Sequence, residues 1–335
     1  MKQSTVKILL IILLATFSQS CHIGTTGTWT NNNIDENVRT KLSVLNKKLF
    51  QSIMAKDVNT VKQLLSPTLV EKSGHKIDTL VNTMGSDYNT TEYDILDQYY
   101  TKNSTTNITN TLISTKGNSN DYIINYLALN EEMYTSLIVT KNLPVNCLIL
   151  AIYGKYGNNW KINILQIGEY TMLNKTAPDY YQSSLEQYKN GNIVDASDMI
   201  TTSSILANPA GNYMKYKNND EMKTLYSKIL KEANTTYHFP ITVGQVKTHP
   251  QIFGESPQFI GEITHQGIYP VIRYKSSVPL ADTVTLKAEN KELQQVIGSI
   301  FKGVDQNNKY ILYQAFNQLP DNTTMPKHYG FVQKL

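Results

Sequence analysis

Cys147–Gly168 reads CLILAIYGKYGNNWKINILQIG. Its two arms are rich in Ile, Leu and Tyr, residues that favour pleated backbone, and Gly157-Asn158-Asn159 between them is a turn signal. The stretch is therefore a β-hairpin, with strands over Val145–Tyr156 and Trp160–Tyr170. Cys147 falls inside the apolar run Val145–Ile152, where a thiol behaves as a small core hydrophobe.

Working back from the hairpin, period-two patterning predicts four more strands at Thr91–Thr101, Thr106–Thr115, Tyr122–Leu129 and Tyr134–Thr140, separated by turns at Gly117-Asn118 and Asn130-Glu131. Before Gly85 the period is helical. Ile34, Val38, Leu42, Leu45, Leu49 and Ile53 recur at steps of three and four behind Asn33, a capping residue type. A second helix starts at Asp57 and stops at Ser66-Pro67, because proline cannot donate to the helix ladder. A third lies between Ile77 and Met84. Three helices followed by a run of strands give an α+β class, packed as helices on a mainly antiparallel sheet.

Residues 34–172 resemble the cone-shaped α+β fold of the nuclear transport factor two superfamily. The resemblance rests on the capped Asp57-Val58 start, the Leu64-Leu65-Ser66-Pro67 stop and the closing hairpin with Trp160-Lys161-Ile162 after an Asn-rich turn. It implies a curved sheet wrapped around a long helix, enclosing a pocket that holds a substrate in some members. The fold by itself licenses no reaction. An enzyme built on it would need a carboxylate or His held dry beside a phenol, and Asp94, Asp97, Tyr99 and Tyr126 are the candidate pocket residues. Asp94 and Asp97 are three positions apart on one strand, so they face opposite sides and do not form a shared-proton pair; Tyr99 and Tyr100 likewise point to opposite faces.

Beyond the hairpin, residues 178–234 read as a helical hairpin broken at Gly191-Asn192, with Ile193–Leu206 as its second helix, followed by a third helix at Asn219–Glu232. The pair resembles one tetratricopeptide unit, without a second copy at the ~34-residue period that a stacked array requires. Residues 237–335 read as a small α+β domain, with strands at Ile241–Val246, Gln258–Thr264, Ile268–Tyr274, Tyr310–Phe316 and His328–Val332 and a helix at Glu289–Phe301. Pro270 is expected at a strand edge or start.

At the other end, Lys2 and Lys7 precede the aliphatic run Ile8–Phe17, about half the ~20 residues of a membrane span, which reads as a signal peptide over residues 1–20. Ser18-Gln19-Ser20-Cys21 resembles the lipobox of bacterial lipoproteins in a relaxed form, with serines where Leu and Gly or Ala usually stand. The resemblance implies that the Cys21 thiol carries acyl chains such as palmitate and fixes the protein to a membrane of the cell envelope. Two or three such chains hold firmly where one holds marginally. Residues 21–33 are Gly-, Thr- and Asn-rich and read as a tether with a reach of roughly 20 Å.

Composition narrows the function classes. The 335 residues suit two domains, and charged residues make up only 17%, below the usual ~25%. The formal charge of +4 falls by two when Lys2 and Lys7 leave with the signal peptide, and arginine occurs only at Arg39 and Arg273. Nothing here tracks phosphates, so nucleic acid is not an expected partner. With Cys21 acylated, Cys147 has no partner for a disulfide. The chain carries no HExxH, paired CxxC, phosphate loop or GxSxG; Gly254-Glu255-Ser256-Pro257 misses the last by its final glycine. His238, His249 and His265 have no metal-ligand spacing. No cofactor is expected. The reading is a lipid-anchored envelope protein that binds or assembles with an envelope protein or peptide, the alternative being a hydrolase or isomerase using the cone-fold pocket.

Overall fold

A computed structural model describes residues 25–320 and 326–335. The signal segment and Cys21 lie outside the described residues. The protein is α+β. Its strands are β1 (Thr25–Thr30), β2 (Tyr93–Asn103), β3 (Ile108–Ile113), β4 (Tyr122–Ala128), β5 (Glu132–Thr140), β6 (Val145–Tyr156), β7 (Asn159–Met172), β8 (Met214–Tyr216), β9 (Ile241–Thr242), β10 (Gln251–Ile260), β11 (Gly267–Lys275), β12 (Tyr310–Phe316) and β13 (His328–Lys334). Its helices are α1 (Glu36–Met54), α2 (Val58–Leu64), α3 (Pro67–Ser73), α4 (Lys76–Asp87), α5 (Ala177–Lys189), α6 (Ile193–Leu206), α7 (Asn219–Thr236), α8 (Thr283–Ile300) and α9 (Val304–Asn307). No helix among the described residues is long and apolar enough to cross a membrane.

The described residues form three sheets, with strand orders β1-β2-β5-β6-β7, β3-β4-β8 and β13-β12-β11-β10-β9. The described chain divides into two compact units, residues 25–112, 124–138 and 149–165 in one and 113–123, 139–148 and 166–335 in the other.

In the first unit α1 packs against α2 and α4. The face that carries Leu42, Leu49, Phe50 and Ile53 is fully buried, as its three-and-four spacing requires. Asn46, one turn from Leu42 and Leu49 on this face, is also buried and bonds to both β5 and β6, through Ser136 and Tyr153.

Three local expectations are corrected here. The α1 cap is Asp35, not Asn33: its carboxylate accepts from the backbone N–H groups of Asn37 and Val38, a charge-assisted cap at the positive end of the helix dipole. Pro67 does not merely end α2; it opens α3 at the first helical position, with the Ser66 hydroxyl accepting from Leu69 N–H, because a residue without an N–H costs nothing there. Within the tether of residues 21–33, Thr25–Thr30 is a strand, paired antiparallel with β2 from Thr25 opposite Asn103 to Thr30 opposite Tyr99, and 31–33 is a short 3-10 turn. The edge of β2 supplied the hydrogen-bond partners that a Gly- and Thr-rich segment lacks by itself.

In the second unit, the sheet that ends the chain is mixed. β10, β11 and their antiparallel ladder are followed by a parallel β11–β12 pair, connected through α8 and α9, since a parallel return needs a long crossover. β10 begins at Gln251, earlier than the expected Gln258, and Pro270 sits inside β11 between β10 and β12, not at an edge or strand start. It is tolerated because Pro257 stands directly opposite it in the β10–β11 ladder and pairing with β12 begins only at Val271. Neither proline has an N–H to leave unpaired. One face of this sheet, with Ile272, Tyr274, Ile311 and Tyr313, is buried in one cluster with Leu286, Leu293 and Ile297 of α8 and Val194 of α6.

Candidate functional site

The sequence candidates fall at different depths of the first unit. Asp94 is exposed near the start of β2 and Asp97 is buried, consistent with opposite faces of one strand. Asp97 Oδ1 accepts from Asn31 Nδ2 at 3.0 Å. Tyr99 is buried on the Asp97 side of β2. The Tyr126 hydroxyl, from β4, lies 3.1 Å from both Thr101 Oγ1 and Asn110 Nδ2. Burial pushes its phenol above the ordinary range, so it stays protonated and serves as a neutral hydrogen-bonding group. Its partners are thus hydroxyls and an amide, none of which is a base.

Where a long helix meets the sheet, the interior is occupied. Asn46 Nδ2 donates to Ser136 Oγ at 2.8 Å and Tyr153 Oη donates to Asn46 Oδ1 at 2.9 Å, all three residues being at most 1% exposed. This amide–hydroxyl relay holds α1 on the sheet.

The second unit places an open, built feature on α6. Its start is set by Gly191 at φ +75° and Asn192, and the preceding α5 is fixed by a capping box in which Thr176 and Asp179 satisfy each other's backbone N–H groups, as this pair of residue types does at helix starts. α6 is then buried on two sides, and each side is chemically distinct.

Toward α7, residues Ile200, Ser203 and Ala207 of α6 and its C-terminal cap face Asn219, Met222 and Tyr226 of α7 across a cavity of about 270 Å³. Ala196, Ile200, Leu225 and Ile229 pack as an apolar cluster between the helices. Ser203 spends its hydroxyl on the Ala177 carbonyl. Asn219, in the wall of the cavity, is 2% exposed, and its Oδ1 is itself buried and has no donor. No His, Asp or Glu lines this cleft; Ser204, Asn208, Lys223 and Ser227 share its wall with the apolar groups, so it offers shape, apolar surface and a few polar atoms, and no carboxylate or imidazole base.

Toward the sheet, the opposite face of α6 carries Asp195 and Asp198. Asp195 accepts from Asn307 Nδ2 at 2.9 Å and Asn308 Nδ2 at 2.7 Å, and burial raises its carboxyl above the ordinary range despite those bonds. Asp198 lies against Glu255 of β10. Asp198 Oδ1 and Glu255 Oε1 are both buried with no donor, and burial, followed for Asp198 by the neighbouring carboxyl, raises both acids; Arg273 acts in the other direction on Glu255. Glu255 as a whole is half-buried, but its carboxyl end is the part withdrawn from water. Two carboxyl groups in this position share a proton, since both cannot ionise.

Sequence reading missed this pair. The i, i+3 spacing of Asp195 and Asp198 on a helix with no other charged residue was the available signal; Glu255 appeared only within a near-miss of a serine-hydrolase motif. Among the described residues, no three His, Cys, Asp or Glu side chains converge to hold a metal ion. No protein-family model, curated protein or solved structure matches the chain.

Proposed function

We propose that this protein is a lipid-anchored component of the cell envelope that acts by binding a protein or peptide partner, with no chemical turnover. The observation that carries the binding part is the α6–α7 cleft: about 270 Å³, walled by Ile200, Ala207, Met222 and Tyr226 with a few polar groups among them. Such a site takes one apolar side chain of a partner segment, the pattern of a pocket that fixes orientation with a few polar atoms. The anchoring part rests on Lys2, Lys7, Ile8–Phe17 and the lipobox-like Ser18-Gln19-Ser20-Cys21.

The finer architecture belongs to the same reading. Helices α1 to α4 ahead of strands β2 to β7 support the cone-fold resemblance, and α5 and α6 support the tetratricopeptide-like hairpin, extended by α7 into the binding groove. The alternative, a hydrolase or isomerase working from Asp94, Asp97, Tyr99 and Tyr126, is less favoured because the Asn46–Ser136–Tyr153 relay fills space beneath α1 and the Tyr126 hydroxyl is engaged by neutral groups.

Two measurements test the proposal. Cys21→Ser should move the protein from the membrane fraction to the soluble fraction; unchanged fractionation removes the anchor. A photo-crosslinking residue at Tyr226 should form a discrete adduct in membranes, and Ala207→Trp, which fills the cleft, should abolish it. An adduct unaffected by Ala207→Trp would place the partner elsewhere and remove the cleft.

A further inference from the structure

The polypeptide enters the first unit at Thr25, opposite Asn103 at the last residue of β2. On the reading that Cys21 carries the acyl chains, four Cα-to-Cα steps separate the lipidated residue from the sheet. Their reach is at most about 14 Å. A tether of residues 21–33 would have let the unit stand away from the bilayer; with β1 formed, that distance is gone. The unit has a near end and a far end, because β2 runs eleven residues from Tyr93 to Asn103, a length of roughly 33 Å. The anchor enters at the near end.

That end is a built surface. Asn103 N–H donates to Glu131 O at 2.8 Å and Asn107 N–H to Ala128 O at 2.7 Å, while Asn130 Nδ2 donates to Lys155 O at 3.1 Å. The turns at 103–107, 129–131 and 155–158 are thus tied to one another beside Thr25, whose hydroxyl bonds Asn110 Oδ1 at 3.2 Å. The exposed residues of 104–107 are Ser, Thr and Asn, uncharged groups that hydrogen-bond to headgroups without a counterion. Leu129 and Tyr156 are each 38% exposed there, the amphipathic and apolar types that settle at a membrane interface. Lys155 is neutralised by Glu132 at 2.6 Å, which leaves Lys102 and Glu131 as charges of opposite sign.

We propose that this end of the first unit, the turns at 103–107, 129–131 and 155–158, is a membrane-docking surface that rests on the lipid headgroups beside acylated Cys21. The inference deepens the anchoring proposal and depends on it. Its near neutrality means that contact is imposed by the short connection and the polar–apolar rim, so raised salt leaves it in place.

The test uses the full-length acylated protein in vesicles of equal parts phosphatidylethanolamine and phosphatidylglycerol containing a headgroup-level quencher lipid. A fluorophore is attached to Thr105→Cys at the near end or to Glu92→Cys at the far end; Cys147 is buried and stays unlabelled. Flotation of both proteins, with the Thr105 label quenched several-fold more than the Glu92 label in low and high salt, is the expected result. Flotation with equal quenching of the two labels, or with none at Thr105, overturns the docking surface while leaving the anchor. Failure of both proteins to float overturns the anchor and the docking surface with it.

Discussion

Asp198 of α6 and Glu255 of β10 meet as two carboxyl groups withdrawn from water, and the oxygens Asp198 Oδ1 and Glu255 Oε1 find no donor in the protein. A shared proton is what allows them to coexist. The charged groups that act on the pair are Asp195 from α6 and Arg273 from β11, with Asp305 of α9 acting on Asp195.

The pair makes folding stability depend on pH. Glu255 is raised from the ordinary 4.5 to about 8. Its contribution is fully present below pH 4.5, where folded and unfolded forms are both protonated, and is lost as pH rises towards 8, because the unfolded chain ionises first. Thermal melting of the intact protein should therefore fall between pH 5 and 8 by several degrees. Glu255→Gln keeps the shape and removes the titration, so its melting temperature should be flatter across that range; an unchanged slope would show that other groups set it.

Removing the amide of Asn46 should strand two buried hydroxyls. Asn46→Ala is expected to cost about 2–4 kcal/mol in urea unfolding, since each buried group left without its partner costs roughly 1–3 kcal/mol. Tyr153→Phe, which removes a single donor to Asn46 Oδ1, should cost about 1 kcal/mol. Equal losses for the two variants would contradict the central place of Asn46.

Gly154 lies in the hairpin that begins the β-rich reading, and its missing side chain makes room for an amide pair. Asn163 Nδ2 donates to Asn130 Oδ1 at 2.7 Å, and a Cβ on residue 154 would come within 1.9 Å of that oxygen. Gly154→Ala should destabilise by about 1–3 kcal/mol through overpacking. Adding Asn130→Ala should recover part of the loss, a non-additivity read from a double-mutant cycle of urea midpoints.

Cys147 is 1% exposed, with its backbone N–H held by Thr140 Oγ1 at 2.8 Å. Alkylation of the native protein should be slow and should accelerate with denaturant in parallel with global unfolding. Rapid alkylation in native buffer would mean that β6 opens locally.

Local chemistry made much of the fold legible. The strands β2 to β7 and the helices α1, α2, α4, α5, α6 and α7 follow from period, cap and turn residues close in sequence, such as Asp57 accepting from Thr60 N–H or Gly157 at φ +60° between β6 and β7. The misread parts are those whose partners are distant. Thr25–Thr30 is a strand only because β2 lies beside it, and Pro270 is tolerated inside β11 only because Pro257 is its neighbour.

The sequence by itself determined the α+β class, the hairpin, the Asp57 cap and the buried thiol, because these depend on residues within a turn or two of each other. Tertiary structure alone decided the α6–α7 cleft and the Asp198–Glu255 contact. A helix pattern shows which residues share a face; what that face meets is set by chain segments dozens of residues away, and it is there that burial turns ordinary side chains into a site.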